Sequence, residues 1–159
     1  MNQSWTIHCD GSAVPNPGRM GLGAVIVAPD GLRHDLSQAA REIGCNNEAE
    51  LRALMAALLM AQTEGADAAA QLQVFCDSRV VVDQLAARAE GTPAIRPIAR
   101  LAALFAAAHL LMRQFAAVDL RWIPQHRNAE ADALARAALG LTAVRPNRAG
   151  AKRRAARRR

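Results

Sequence analysis

The chain has 159 residues, 52% apolar and 3% aromatic, enough for one domain with a sizeable core. Three cysteines without framework spacing speak against a disulfide-stapled secreted scaffold, and the longest apolar run, LAALFAAAHLLM, is too short to cross a bilayer. The net charge of +6 is unevenly spread: eight cations and no acid lie in residues 145–159, which leaves residues 1–144 at −2. No charged-then-apolar leader opens the sequence, so the expectation is a cytoplasmic protein without a membrane partner.

In chain order, WTIHCD predicts a strand with Trp5, Ile7 and Cys9 on one face and Thr6, His8 and Asp10 on the other. GSAVPNPG is a dense turn signal. GLGAVIVAP predicts a second strand, and Asp30-Gly31 a hairpin into LRHDLSQAA. A helix is expected from Asn46 to Thr63, on apolar steps of three and four, ended by Gly65. LQVFCD then reads as a short buried strand, with Ser78 able to cap the helix that follows, and Gly91-Thr92-Pro93 as its breaker. ARLAALFAAAHLLMRQF is another helix, VDLRWIP the last strand and NAEADALARAAL the last helix. The expected fold is α/β: a mixed five-stranded sheet, three antiparallel strands then two parallel ones, flanked by helices. Residues 1–140 form this domain, and 141–159 are a flexible basic extension by composition.

Four acids stand at element ends in this scheme: Asp10 after the first strand, Glu50 in the first turns of a helix, Asp77 after the fourth strand, and Asp132 early in the last helix. Strand ends of a sheet with parallel neighbours meet at one edge, so Asp10 and Asp77 are expected together. Cys9 and Cys76, one residue earlier, should then point into the core as free thiols. Two carboxylates about 5 Å apart repel by roughly 3 kcal/mol at an effective dielectric near 20. Four of them converge only with raised pKa values or with cations, and all-oxygen donors suit Mg²⁺. Two such ions serve phosphodiester hydrolysis. Singly, each acid also reads as a capping or solvated residue; the joint placement carries the argument.

The segments DGSAVPNPGRMGLGAVI, NNEAELRAL, VFCDSRVVVDQL and WIPQHRNAEADALA occur in the order of the four motifs of type I ribonuclease H, and residues 5–140 resemble that family. The short connection after the second helix is similar to the subgroup without a basic protrusion. The resemblance implies a ribonuclease-H-like sheet and an endonuclease that cuts the RNA strand of RNA–DNA hybrids. It implies 5′-phosphate and 3′-hydroxyl ends, with two Mg²⁺ ions, or Mn²⁺ in their place. Carried over by position, Asp10, Glu50, Asp77 and Asp132 are the catalytic metal ligands. The N-N-x-x-E spacing selects Glu50 over Glu48, which is expected to face solvent. Gly11, Ser12, Asn16, Asn46, Asn47 and Ser78 fall at substrate-contacting positions. Asn46 and Ser78 read equally as helix caps, and Asn16 as an organiser of the turn. The family often carries Thr where this chain has Cys45, which together with Glu48 implies a weaker phosphate grip.

His126, in the loop before the last acid, is a candidate proton shuttle or a solvated loop residue. Trp122 reads as core. The tail residues Lys152, Arg153, Arg154, Arg157, Arg158 and Arg159 form an electrostatic handle for nucleic acid, against a plain solvated terminus. The expected partners are an RNA–DNA hybrid and double-stranded RNA as a side substrate, and a monomer is the family expectation. A non-cleaving binding scaffold would lack one of the acids. A related nuclease acting on DNA junctions is the remaining alternative.

Overall fold

A computed structural model describes residues 4–86 and 99–141. Five strands form one sheet: β1 (Ser4–Val14), β2 (Gly18–Val27), β3 (Arg33–Gly44), β4 (Gln71–Cys76) and β5 (Ala117–Trp122), in the order β3-β2-β1-β4-β5. The β1–β2 and β2–β3 pairs are antiparallel, and β1–β4 and β4–β5 are parallel, as the sequence pattern predicts. Among the described residues there are four α-helices, α1 (Asn46–Thr63), α2 (Arg79–Leu85), α3 (Ala102–Met112) and α4 (Ala129–Ala138). No helix is long and apolar enough to cross a membrane among these residues. The expected break at Gly91-Thr92-Pro93 and the extension from residue 142 onward lie outside the described residues.

The core lies between the sheet and α1–α3. Trp5, Ile7 and Cys9 of β1 and Leu72, Val74 and Cys76 of β4 face Leu51, Leu54 and Leu58 of α1 and Phe105 of α3. Small residues Ala53, Ala57 and Ala61, all fully buried, let α1 lie close to the strands. Helix α4 packs on β1 and β2. Its approach depends on Gly23 of β2, where a Cβ would collide with the backbone of Ala131 and Ala135.

Strand β1 is longer than the turn-like DGSAV suggests. It runs through Asp10, Gly11 and Ser12 to Val14, because those residues keep pairing with Gly23, Leu22 and Gly21 of β2. The reversal is confined to Pro15–Pro17, with cis peptides before both prolines. Asp10 is therefore inside a paired strand and not at a loose end.

Candidate active site

Each acid is positioned by a different element. Cys9 and Cys76 are register partners of the parallel β1–β4 pair, so Asp77, one step beyond β4, arrives beside Asp10. Glu50 comes from the second turn of α1. That helix reaches β1 at Gly11, where a Cβ would overlap the backbone of Ala49 and Glu50. Asp132 sits in the first turn of α4, near the positive end of the helix dipole.

One carboxylate oxygen from each of Asp10, Glu50 and Asp77 lies within 4.8 Å of the others. Asp132 is close enough to share a hydrogen bond with Asp10. The four acids line one cleft of about 270 Å³ with Gly11, Ser12, Asn46, Gln125 and Arg136.

Asp10 is only 5% exposed, and its Oδ1 accepts the Gly11 N–H at 3.0 Å. Burial, then the charges of Asp77 and Glu50, then Asp132 push its carboxyl up to about 9. Burial raises Glu50 to about 7, opposed by a hydrogen bond from Ser78 and reinforced by Asp77. Burial also raises Asp77, against hydrogen bonds with Asn128, Asp10 and Glu50 that hold it down. Protons thus neutralise part of this cluster near neutral pH. A divalent cation coordinated by the same oxygens does the same work, and an all-carboxylate donor set with room for water fits Mg²⁺ or Mn²⁺.

Neighbouring groups around the acids fix them further. Asn128, 1% exposed, donates through Nδ2 to the Cys9 carbonyl at 2.9 Å and reaches Asp77 Oδ2 at 3.5 Å. Trp122 Nε1 donates to the Asp77 carbonyl at 3.1 Å. Ser78 Oγ accepts the Val81 N–H at 3.2 Å, so it caps α2 and also touches Glu50.

The structure sorts the sequence candidates. Asp10, Glu50, Asp77, Asp132, Gly11, Ser12 and Asn46 share the cleft. Asn46 is not the helix cap; that position is Cys45, which makes no side-chain cap bond. Its Oδ1 instead accepts the Ala13 N–H at 2.8 Å, and its own N–H donates to Asn16 Oδ1 at 3.1 Å. Asn16 thus organises the junction of turn and helix, and Asn47 is outside the cleft lining. His126 is exposed and lines a separate cavity with His8, Asn128 and Glu130, not the acid cleft. Lys152, Arg153, Arg154, Arg157, Arg158 and Arg159 lie outside the described residues.

Two further readings are corrected. Trp122 is 37% exposed instead of core, because β5 is an edge strand and the indole lies at its end. Glu48 does not face open solvent: it accepts from Arg52 Nε at 3.1 Å and packs against Gly44. Beside it, Arg100 Nη2 meets Cys45 Sγ at 2.8 Å, a cation that the sequence did not place next to the Asn pair.

Gln125, Arg136 and the bridging role of Asn128 do not stand out in the sequence. Arg136 comes four residues after Asp132, and that helical spacing alone puts both on one face. Gln125 carries no such signal, since it belongs to a 3-10 turn at Gln125–Arg127 whose direction only the fold sets.

Residues 8–138 match the family described as reverse transcriptase-like. The bifunctional protein Rv2228c of Mycobacterium tuberculosis is 37% identical over 141 residues, covering 86% of this chain but 36% of that protein. Ribonuclease HI of Synechocystis is 38% identical over 82 residues, covering 52% of this chain and 48% of that protein. Among solved structures, the N-terminal RNase H domain of rv2228c, fused to maltose-binding protein, has a TM-score of 0.72 at 33% identity, covering 87% of this chain and 95% of that one. RNase H1 of the archaeon Halobacterium salinarum gives 0.72 at 29%, with 86% and 98% covered. LC11-RNase H1, solved in complex with an RNA/DNA hybrid, gives 0.71 at 31%, with 86% and 97% covered.

Proposed function

Because this chain belongs to the type I ribonuclease H family, we propose that it is an endonuclease that cuts the RNA strand of RNA–DNA hybrids, leaving 5′-phosphate and 3′-hydroxyl ends. The observation that carries this reading is the meeting of Asp10, Glu50 and Asp77 within 4.8 Å, from three separate elements. With Asp132 they would hold two Mg²⁺ ions, for which Mn²⁺ can substitute. Such ions would supply an activated water and stabilisation of the leaving oxygen.

The chain's own groups do the rest. Asp10 and Asp77 are held rigid by the paired strands and by Asn128, so the ligand oxygens need little reorganisation. Ser12, Asn46 and the backbone at Gly11 offer neutral donors and acceptors along the cleft, suited to 2′-hydroxyls across a minor groove. Arg136 brings positive charge to a wall otherwise dominated by acids and supports the approach of a phosphate. His126, turned to the neighbouring cavity, is given no proton-transfer role in this reading.

The domain is taken as residues 1–140. The cationic run at 145–159 supplies long-range attraction that a body of net charge −2 lacks. The working unit is a monomer in the cytoplasm, with double-stranded RNA as a side substrate.

A substrate panel tests the reading. Labelled hybrid, double-stranded RNA and double-stranded DNA are incubated with Mg²⁺, Mn²⁺ or EDTA. Metal-dependent cleavage of the hybrid's RNA strand, with the DNA duplex intact, is expected. No hybrid cleavage with either metal would overturn the reading.

A further inference from the structure

Next to Asp77 lies an arrangement that the acid cluster does not use. Arg79, the first residue of α2, is exposed, and its guanidinium carbon stands 3.8 Å from the ring centroid of Trp122. The indole is itself fixed: Trp122 pairs in register with Cys76 across β4–β5, and its Nε1 donates to the Asp77 carbonyl at 3.1 Å. Among the described residues no carboxylate forms an ion pair with Arg79. An exposed arginine ordinarily spreads over many rotamers. Here the ring face holds it, and stacking leaves the in-plane N–H donors for acceptors in that plane.

From this geometry we propose that Arg79, ordered by Trp122, is a clamp for a backbone phosphate of the nucleic acid beside the scissile position. The inference rests on the hybrid-nuclease reading above. A planar guanidinium matches the paired oxygens of a phosphodiester, and it carries no sequence preference. It lies two residues from Asp77 and over the same indole that holds the Asp77 carbonyl, so its positive charge stands on the Asp77 side of an acid-rich cleft, where the backbone would otherwise meet strong repulsion. Trp122 acts through Arg79 as a positioning residue. With one face covered by the guanidinium, it is less suited to stack a base.

The test measures binding of a fluorescein-labelled hybrid to the full chain across salt concentration, in an Asp10→Asn background with Mg²⁺ to suppress turnover. Steady-state kinetics of the same variants are measured with Asp10 intact. Arg79→Ala should weaken binding about tenfold, as removal of a charge-assisted hydrogen bond does. It should also lower the slope of log affinity against log salt by about 0.9. The loss should fall on KM with kcat within about twofold, a split that altered folding would not produce.

Arg79→Lys should restore the slope but not the full affinity, because the charge returns without the planar stack. Trp122→Leu should cost part of the same affinity, and once Arg79 is already Ala its effect on binding should shrink to what loss of the Asp77 carbonyl bond costs. Hybrids with a single methylphosphonate linkage beside the scissile position, in one strand or the other, identify the contacted strand: neutralising that one phosphate should weaken wild-type binding and leave Arg79→Ala unaffected. Hybrid cleavage by the wild type with unchanged binding and slope in Arg79→Ala overturns the clamp alone. Full additivity of the two substitutions also overturns it. A wild-type chain that neither binds nor cuts hybrid overturns the clamp together with the nuclease reading.

Discussion

Asn46 Oδ1 accepts the backbone N–H of Ala13 at 2.8 Å, and this bond ties the far end of β1 to the first residue of α1. Asp10 lies three residues before one end of the link and Glu50 four residues after the other, so the bond helps set their separation. Asn46→Ala leaves a partly buried N–H unpaired and should cost about 1–3 kcal/mol in denaturant unfolding. Asn16→Ala, which removes only an exposed acceptor, should cost less. Equal losses would mean that the Ala13 link has no special weight.

The acids make metal-free stability depend on pH. In the fold Asp10 is held near 9 and Glu50 near 7, against ordinary values of 3.8 and 4.5. Between those values the folded chain keeps protons that the unfolded chain has released, so stability falls as pH rises. This contribution is complete below about pH 4 and gone above about pH 9. In EDTA the thermal midpoint should therefore fall from pH 5 to pH 9. Asp10→Asn should flatten the profile and raise metal-free stability by about 1–3 kcal/mol at pH 8. Added Mg²⁺ should stabilise the wild type more at pH 8 than at pH 5. A pH-independent midpoint for the metal-free wild type would contradict this electrostatic account.

The five strands and the described helices were readable because apolar periodicity is local and changes cleanly from two to about 3.6, whereas the order β3-β2-β1-β4-β5 is set by tertiary pairing. The convergence of Asp10 and Asp77 was readable too, since both close strands whose ends were expected at one edge of the sheet, while the Cys9–Cys76 register that sets it is a property of the fold. What escaped depends on tertiary contact. The D-G-S segment looks like a turn until β2 pairs with it, and Asn46 looks like a cap until Ala13 arrives. Trp122 looks like core because nothing local reveals that β5 is an edge. His126 is in the right loop, but the 3-10 turn brings Gln125, not His126, to the acids.

Gly11 is where β1 and α1 touch, and any Cβ there meets the Ala49–Glu50 backbone. Gly11→Ala should push the helix away and destabilise the fold by about 1–3 kcal/mol. Because Glu50 moves with that backbone, metal affinity measured by calorimetry should fall as well. Gly31→Ala is a control: it is strained by a φ of 89° but has open space around it and is remote from the acids, so metal affinity should stay unchanged. Equal loss of metal affinity in both would contradict the placement argument.

The eight cations of residues 145–159 should act through salt-sensitive attraction. Deleting them should raise KM for the hybrid at low salt and reduce the slope of log affinity against log salt by about 0.9 for each phosphate they neutralise. The turnover rate at saturating substrate should be unaffected. An unchanged slope would remove the handle from the account.

The most direct test compares single-turnover cleavage of one labelled RNA–DNA hybrid by the wild type and by Asp10→Asn, both in saturating Mg²⁺. Charge stabilisation worth several kcal/mol predicts a rate lower by about a thousandfold or more in the variant, with hybrid affinity retained. Equal rates in the two proteins would contradict the claim that this carboxylate cluster performs the hydrolysis.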